Sequence, residues 1–278
     1  MTNEANVSVE NKSKAKGSNV VSGIIILICL IIGWMVWNYV MGDSSNFENG
    51  DRDNGHPLPG NILGMIYKGG VVVPVLMGLL LMTFVFSIER LFVISKAGGK
   101  GSLDKFVVQV KEDVASGNIN AAIEACDQQQ GSVANAIRSA LVKYQEVKKE
   151  GFDSDQAEEA IQKEIEQATS LEMPMLEKNM TIIATLVSIG TLTGLLGTVT
   201  GMIKAFSGLA TAGAPDSAAL ANGISEALVC TATGIGTSTF ATIAYNYFTA
   251  KIDTLTYFID EAGASITQGY RRIRGDKN

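Results

Sequence analysis

One carboxylate dominates the chemistry that this sequence can do. Residues 217–250 form a 34-residue run whose only charge is Glu226. A carboxylate at membrane depth costs about 3 kcal/mol on insertion scales, so such groups face a cavity or a partner and often relay ions. A carboxyl removed from water holds its proton more tightly, which suits it to exchange that proton near physiological pH. A second placement stays open. About 20 residues cross a bilayer, so the run is longer than needed and Glu226 also fits an outer interface. Hydroxyls accompany it: Thr231, Thr233, Thr237, Ser238, Thr239 and Thr242 downstream, and Thr191, Thr193, Thr198 and Thr200 in residues 181–203. Threonine hydroxyls donate and accept, so they can hold a chain of water. The simpler reading is packing, with each threonine bonded back to its own helix.

Other chemistry finds little support. Three cysteines (Cys29, Cys126 and Cys230) are too few and too scattered for a disulfide framework or a zinc site. Cys29 and Cys230 read as packing thiols and Cys126 as a reduced cytoplasmic one. His56 is the lone histidine, beside Pro57 in a loop-like stretch, and reads as an exposed linker residue. No nucleotide loop, nucleophile elbow or paired-carboxylate site appears. An enzyme is not expected, and no cofactor is. The chain of 278 residues has a formal net charge of -6, which argues against a nucleic-acid partner.

The elements that must position Glu226 follow from where charge is missing. Hydrophobic residues make up 46% and charged residues 18% of the chain, and mean hydropathy is +0.20. Residues 20–41, 69–88 and 181–203 carry no charge, and 217–250 completes four candidate spans. Residues 20–41 have a basic lead, Lys12, Lys14 and Lys16, but exceed a signal core and lack a small-x-small cleavage site, so an uncleaved anchor is expected. Basic residues flank the ends: Arg90, Lys96 and Lys100 after the second span, and Lys251, Arg271, Arg272, Arg274 and Lys277 after the fourth. By the positive-inside rule both termini are cytoplasmic. The expected order is a tail (1–19), an N-terminal transmembrane helix (20–41), a periplasmic linker (42–68), a core helix (69–95), a cytoplasmic helical domain (96–180), a core helix (181–208), a short periplasmic loop (209–216), a core helix (217–250) and a C-terminal tail (251–278). The fold class is an all-α integral membrane protein with long helices running into the cytoplasm.

The cytoplasmic segment shows helical stripes. Phe106, Val107, Val110 and Val114 form one; Val133, Ile137, Leu141 and Tyr144 another; Ala157, Ile161, Ile165 and Ala168 a third. Gly117-Asn118 and Gly131-Ser132 read as breaks, and Pro174 as the only interruption before residues 181–203. The linker is rich in Gly, Asn and Asp, a loop composition.

Residues 181–203 are not an ordinary lipid anchor. Gly190/Gly194 and Gly197/Gly201 are two small-xxx-small pairs, which let helix backbones approach closely. Thr191 and Thr198, seven apart, share a face. Here the residues resemble a known family. Gly194-Leu195-Leu196-Gly197-Thr198-Val199 is followed by Gly201-Met202-Ile203, and Gly223-Ile224-Ser225-Glu226-Ala227-Leu228 opens the last span. The two motifs resemble those of the ExbB/TolQ proton-channel family, related to the flagellar stator protein MotA. Leu176-Glu177-Lys178-Asn179 and Ile88-Glu89-Arg90 resemble its flanking stretches, and the likeness covers roughly residues 62–270.

The resemblance implies a homo-pentamer in the bacterial inner membrane whose motif-bearing helices line a central pore. It implies an ExbD-like single-span partner in that pore and a TonB-like protein beyond it, energised by the proton motive force. The family's pore positions fall here on Thr198, Glu226 and Thr231. Two departures stand out: family prolines are replaced by Thr191 and Phe240, which implies straighter helices, and the first span is extra to the three-span core. A TolQ-like envelope motor, a MotA-like stator and a non-conducting membrane scaffold are the alternatives. An intramembrane protease would need a Ser–His or paired-Asp site within the spans, and none is present.

Overall fold

The computed structural model describes residues 21–53, 55–211 and 217–275. The expected N-terminal tail and most of the expected loop at 209–216 lie outside them. Among the described residues nine helices follow in order: α1 (Val21–Met41, a π-helix over Val36–Met41), α2 (Ile62–Tyr67), α3 (Val73–Ala97), α4 (Leu103–Ala115), α5 (Ile119–Gln129), α6 (Gly131–Glu150), α7 (Ser154–Glu177), α8 (Met180–Thr211) and α9 (Ser217–Gly275). No β-strand occurs among the described residues, only an isolated bridge between Phe47 and Pro57. Four helical stretches are long and apolar enough to cross a membrane: Val21–Met41, Val73–Ala97, and parts of Ser154–Ser207 and Leu220–Arg272. The protein is an all-α membrane protein.

The chain divides into two compact units, one built from residues 1–87 and 181–245, the other from 88–180 and 246–278. In the first, close backbone contact does the packing. A Cβ on Gly33 of α1 would lie 2.6 Å from the Gly78 nitrogen of α3, so only glycine lets these helices meet there. Between α8 and α9 the same holds: a Cβ on Gly234 would lie 2.7 Å from the Gly190 carbonyl and 2.8 Å from the Gly194 Cα. A Cβ on Gly197 would overlap the Cys230 side chain, with Sγ at 2.6 Å. Leucine at Gly197 should therefore prise α8 from α9 and cost about 1–3 kcal/mol by overpacking. The check is thermal unfolding in detergent and ring size on a native gel; a normal melt and a normal oligomer would show that the contact yields.

Residues 42–68 read as a linker, yet they are structured. Two short 3₁₀ turns, Ser44–Asn46 and Glu48–Gly50, precede α2. Buried Asn46 donates to the carbonyls of Val40 (2.9 Å) and Met41 (3.0 Å), and accepts from Asn61 (2.9 Å). Trp37 stacks on Tyr67 with ring centroids 4.7 Å apart, and its indole N–H donates to the Tyr67 carbonyl. The Asn and Asp that spell "loop" by composition are here the side chains that satisfy backbone groups.

In the second unit the three stripes are buried. Gly117, at φ 78, separates α4 from α5, and Asn118 caps α5 by accepting from the Ala121 N–H. Burial pushes the Cys126 thiol up to about 12, which leaves it an inert packing group. The expected C-terminal tail is instead the end of α9: Ile252, Leu255, Ile259, Ala262, Ile266 and Tyr270 are buried at helical spacing. Tyr270 meets Tyr144 edge-on at 5.0 Å and donates to the Phe152 carbonyl.

Pro174 does not interrupt its helix, which continues to Glu177. The break falls at residues 178 and 179, where Asn179 takes φ 63. The carbonyls before it are held by a residue remote in sequence. Arg90, 1% exposed, donates to the Met175 carbonyl (3.0 Å) and the Leu176 carbonyl (3.2 Å). These belong to the last turn of α7, whose carbonyls lack helical partners. Arg90 also pairs with Glu89, which in turn accepts from the Asn179 amide at 3.2 Å.

Candidate proton pathway

Glu226 lies nine residues after the start of α9, and only 9% of it is exposed. Its carboxylate has a partner that the sequence reading missed. Lys204 of α8 donates to Oε1 at 2.8 Å. The charge-free run ends at Ile203, one residue short of this cation. The ammonium side chain is 54% exposed against 11% for the carboxylate, so the pair has one foot in a solvated or lipid-facing zone.

The threonines sort into two groups by what they touch. Thr185, Thr200, Thr233, Thr237, Thr239 and Thr242 donate to carbonyls of their own helix three or four residues back. For these the packing reading holds. Thr198 and Thr191 instead cross to α9. Thr198 shares a hydrogen bond with Thr231, and Thr191 donates to Ser238 at 2.7 Å. Thr231 also reaches the Ala227 carbonyl at 3.1 Å, and Thr198 the Gly194 carbonyl at 3.3 Å and the Ala227 carbonyl at 3.4 Å, so either hydroxyl can donate the shared bond.

These contacts form an antiparallel ladder. Lys204 faces Glu226, Thr198 faces Thr231, and Thr191 faces Ser238. The two hydroxyl rungs are seven residues apart on each helix, about 10.5 Å at 1.5 Å per residue. That gap is too long for one hydrogen bond, so a proton moving along the seam needs water between rungs. The glycines Gly190, Gly194, Gly197 and Gly201 fill the intervals, each with its missing Cβ aimed at α9. The ladder thus gathers Thr198, Glu226, Thr231 and the four glycines on one seam, and adds Lys204, Thr191 and Ser238.

Thr198→Ala and Thr231→Ala are expected to slow proton-coupled work about tenfold each, the effect on a rate of losing a hydrogen bond of ~1.4 kcal/mol. Oligomer size should not change. Full activity in both variants would reduce the pair to packing.

No group of three or more metal-ligating side chains occurs among the described residues. The seam holds hydroxyls, one carboxylate, one ammonium and the Cys230 thiol, a set suited to moving a proton.

Similarity to known proteins falls on this same region. A sequence model of the MotA/TolQ/ExbB proton channel family matches residues 133–261. The Tol-Pal system protein TolQ of Pseudomonas aeruginosa is 35% identical over 105 residues, 38% of this chain and 46% of that protein. A putative biopolymer transport protein ExbB homolog of Methanothermobacter thermautotrophicus is 25% identical over 195 residues, 70% of this chain and 65% of that protein. The chain thus matches less than two thirds of the length of either relative. The matched segment contains α8 and most of α9, and with them every rung of the ladder. By that segment the chain is similar to the MotA/TolQ/ExbB proton channel family.

Proposed function

We propose that this chain is the proton-conducting subunit of an inner-membrane motor that draws on the proton motive force. Its work is to energise TonB-dependent transport at the outer membrane, together with an ExbD-like single-span protein and a TonB-like protein. Several copies, five by resemblance, form the ring, with both termini of each chain in the cytoplasm. The observation that carries the reading is the buried Glu226 at the head of a hydroxyl ladder on the α8–α9 seam. A titratable group followed by donor–acceptor hydroxyls is what a proton relay needs. The 35% identity to a TolQ favours a second reading within the same class, a motor serving envelope integrity.

The test is affinity purification of the tagged chain from native membranes. A ring of chains carrying a single-span protein with one membrane aspartate is expected. A chain that purifies alone as a closed bundle would favour the scaffold instead. Deleting the gene separates the two motors. Loss of energised import fits the TonB reading, and a leaky envelope with import intact fits the TolQ one.

A further inference from the structure

Glu226 is held from two sides, by groups the proton relay does not itself require. On one side is Lys204. On the other is the turn that joins α2 to α3. Gly70 sits there at φ 80, and a Cβ on it would overlap the carboxylate, with the Glu226 Cδ at 2.6 Å. The left-handed φ and the missing Cβ both require glycine. Cys230, one turn along α9 from Glu226, donates its thiol to the Gly69 carbonyl at 3.1 Å. Further back the turn is tied to the structured N-terminal segment. The Gly69 N–H donates to the Ile66 carbonyl and the Gly70 N–H to that of Tyr67, the residue that stacks on Trp37 of α1. The charged and titratable groups around the carboxylate are few. Lys204 comes from α8 and Cys230 from α9 itself. Lys68, before the turn, is engaged elsewhere, donating to the Asp53 carbonyl and lying over the Phe47 ring.

We propose that Lys204 and Gly70 are positioning residues for Glu226. Lys204 holds the carboxylate in an ion pair, and Gly70 provides the space in which it rests. The N-terminal segment, α1 with the folded stretch before α3, fixes that space. In this state the carboxyl is engaged and its proton path shut, and a partner opens it by drawing Glu226 off Lys204. This inference rests on the reading of Glu226 as the proton carrier.

Dicyclohexylcarbodiimide modifies neutral carboxylic acids in membranes and spares paired carboxylates, so its reaction at Glu226 reports the pair. In native membranes Lys204→Met should raise labelling of Glu226 about tenfold, since the 2.8 Å contact that engages the carboxylate is gone. Lys204→Arg should restore the slow rate, and labelling of Glu89 should stay constant in both, which separates the effect from unfolding. Gly70→Ala should raise labelling as well. Should that variant misfold, Lys204→Met still decides. Unchanged labelling in Lys204→Met overturns the proposal. The function of Glu226→Gln is measured beside it. If Glu226→Gln loses function while Lys204→Met labels normally, the positioning fails and the proton reading stands. If Glu226→Gln works normally while Lys204→Met labels fast, the positioning stands and the proton reading fails.

Discussion

Glu226→Gln is expected to insert and assemble normally and to lose proton-coupled work by about a hundredfold or more, the range seen when a proton-transferring side chain is removed. The amide matches the carboxylate in size, so it fits the space left by Gly70. It cannot take up and release a proton at physiological pH. The substitution also removes Lys204's counter-charge. Because that ammonium is 54% exposed, it is not stranded in an apolar interior, and an ion pair of this kind contributes about 0–1 kcal/mol. Fold and function should therefore separate cleanly. The measurements are oligomer size on a native gel and the rate of energised import, or of envelope repair, in cells carrying the variant. Full activity would remove Glu226 from the pathway and leave the scaffold reading in its place.

Arg90→Leu carries the opposite signature, a large loss of stability with no direct role in proton transfer. Arg90 is among the largest fully buried side chains in the described chain. It holds the last turn of α7 by two carbonyls and pairs with Glu89. Leucine would leave both carbonyls without that donor and Glu89 without its cation. Glu89 is 33% exposed, so its loss of a cation is softened by water, but buried carbonyls left without a donor cost about 1–3 kcal/mol, and a fall in melting temperature of several degrees is expected in detergent. Lysine should not rescue it fully, because one ammonium cannot reproduce the planar fork that reaches a carboxylate and two carbonyls together. Glu89→Gln, which keeps the acceptor for Asn179, should cost less. An unchanged melt in Arg90→Leu would mean that water takes over the α7 terminus.

Much of this fold was legible because its signals are local or periodic. Charge-free runs gave the spans, and buried stripes such as Val133, Ile137, Leu141 and Tyr144 gave the second unit's helices. What escaped depends on residues far apart in sequence. Lys204 stands directly after an uncharged run and looked like its boundary; only the antiparallel pairing of α8 with α9 brings it to Glu226. Arg90 reaches the α7 terminus across 85 residues, so no window on the sequence shows why the helix ends at Glu177 and not at Pro174. The 42–68 segment hid its order because its stability comes from Asn46, Trp37 and Tyr67, single side chains with no period. The seven-residue spacing of Thr191 and Thr198 was visible. Their partners Thr231 and Ser238 were not matched to them, since the register between two helices joined by a loop is a tertiary property.

The contact of Gly194 with Gly234 also has a mechanical meaning. Where backbones touch through glycine, no flexible side chain lies between them to absorb strain, and close-packed protein has low compressibility. The α8–α9 pair is thus a stiff beam. A machine that turns ion flow into movement needs one component that yields and one that does not. In the proposed motor this stiffness makes the pair the housing, the component that does not yield.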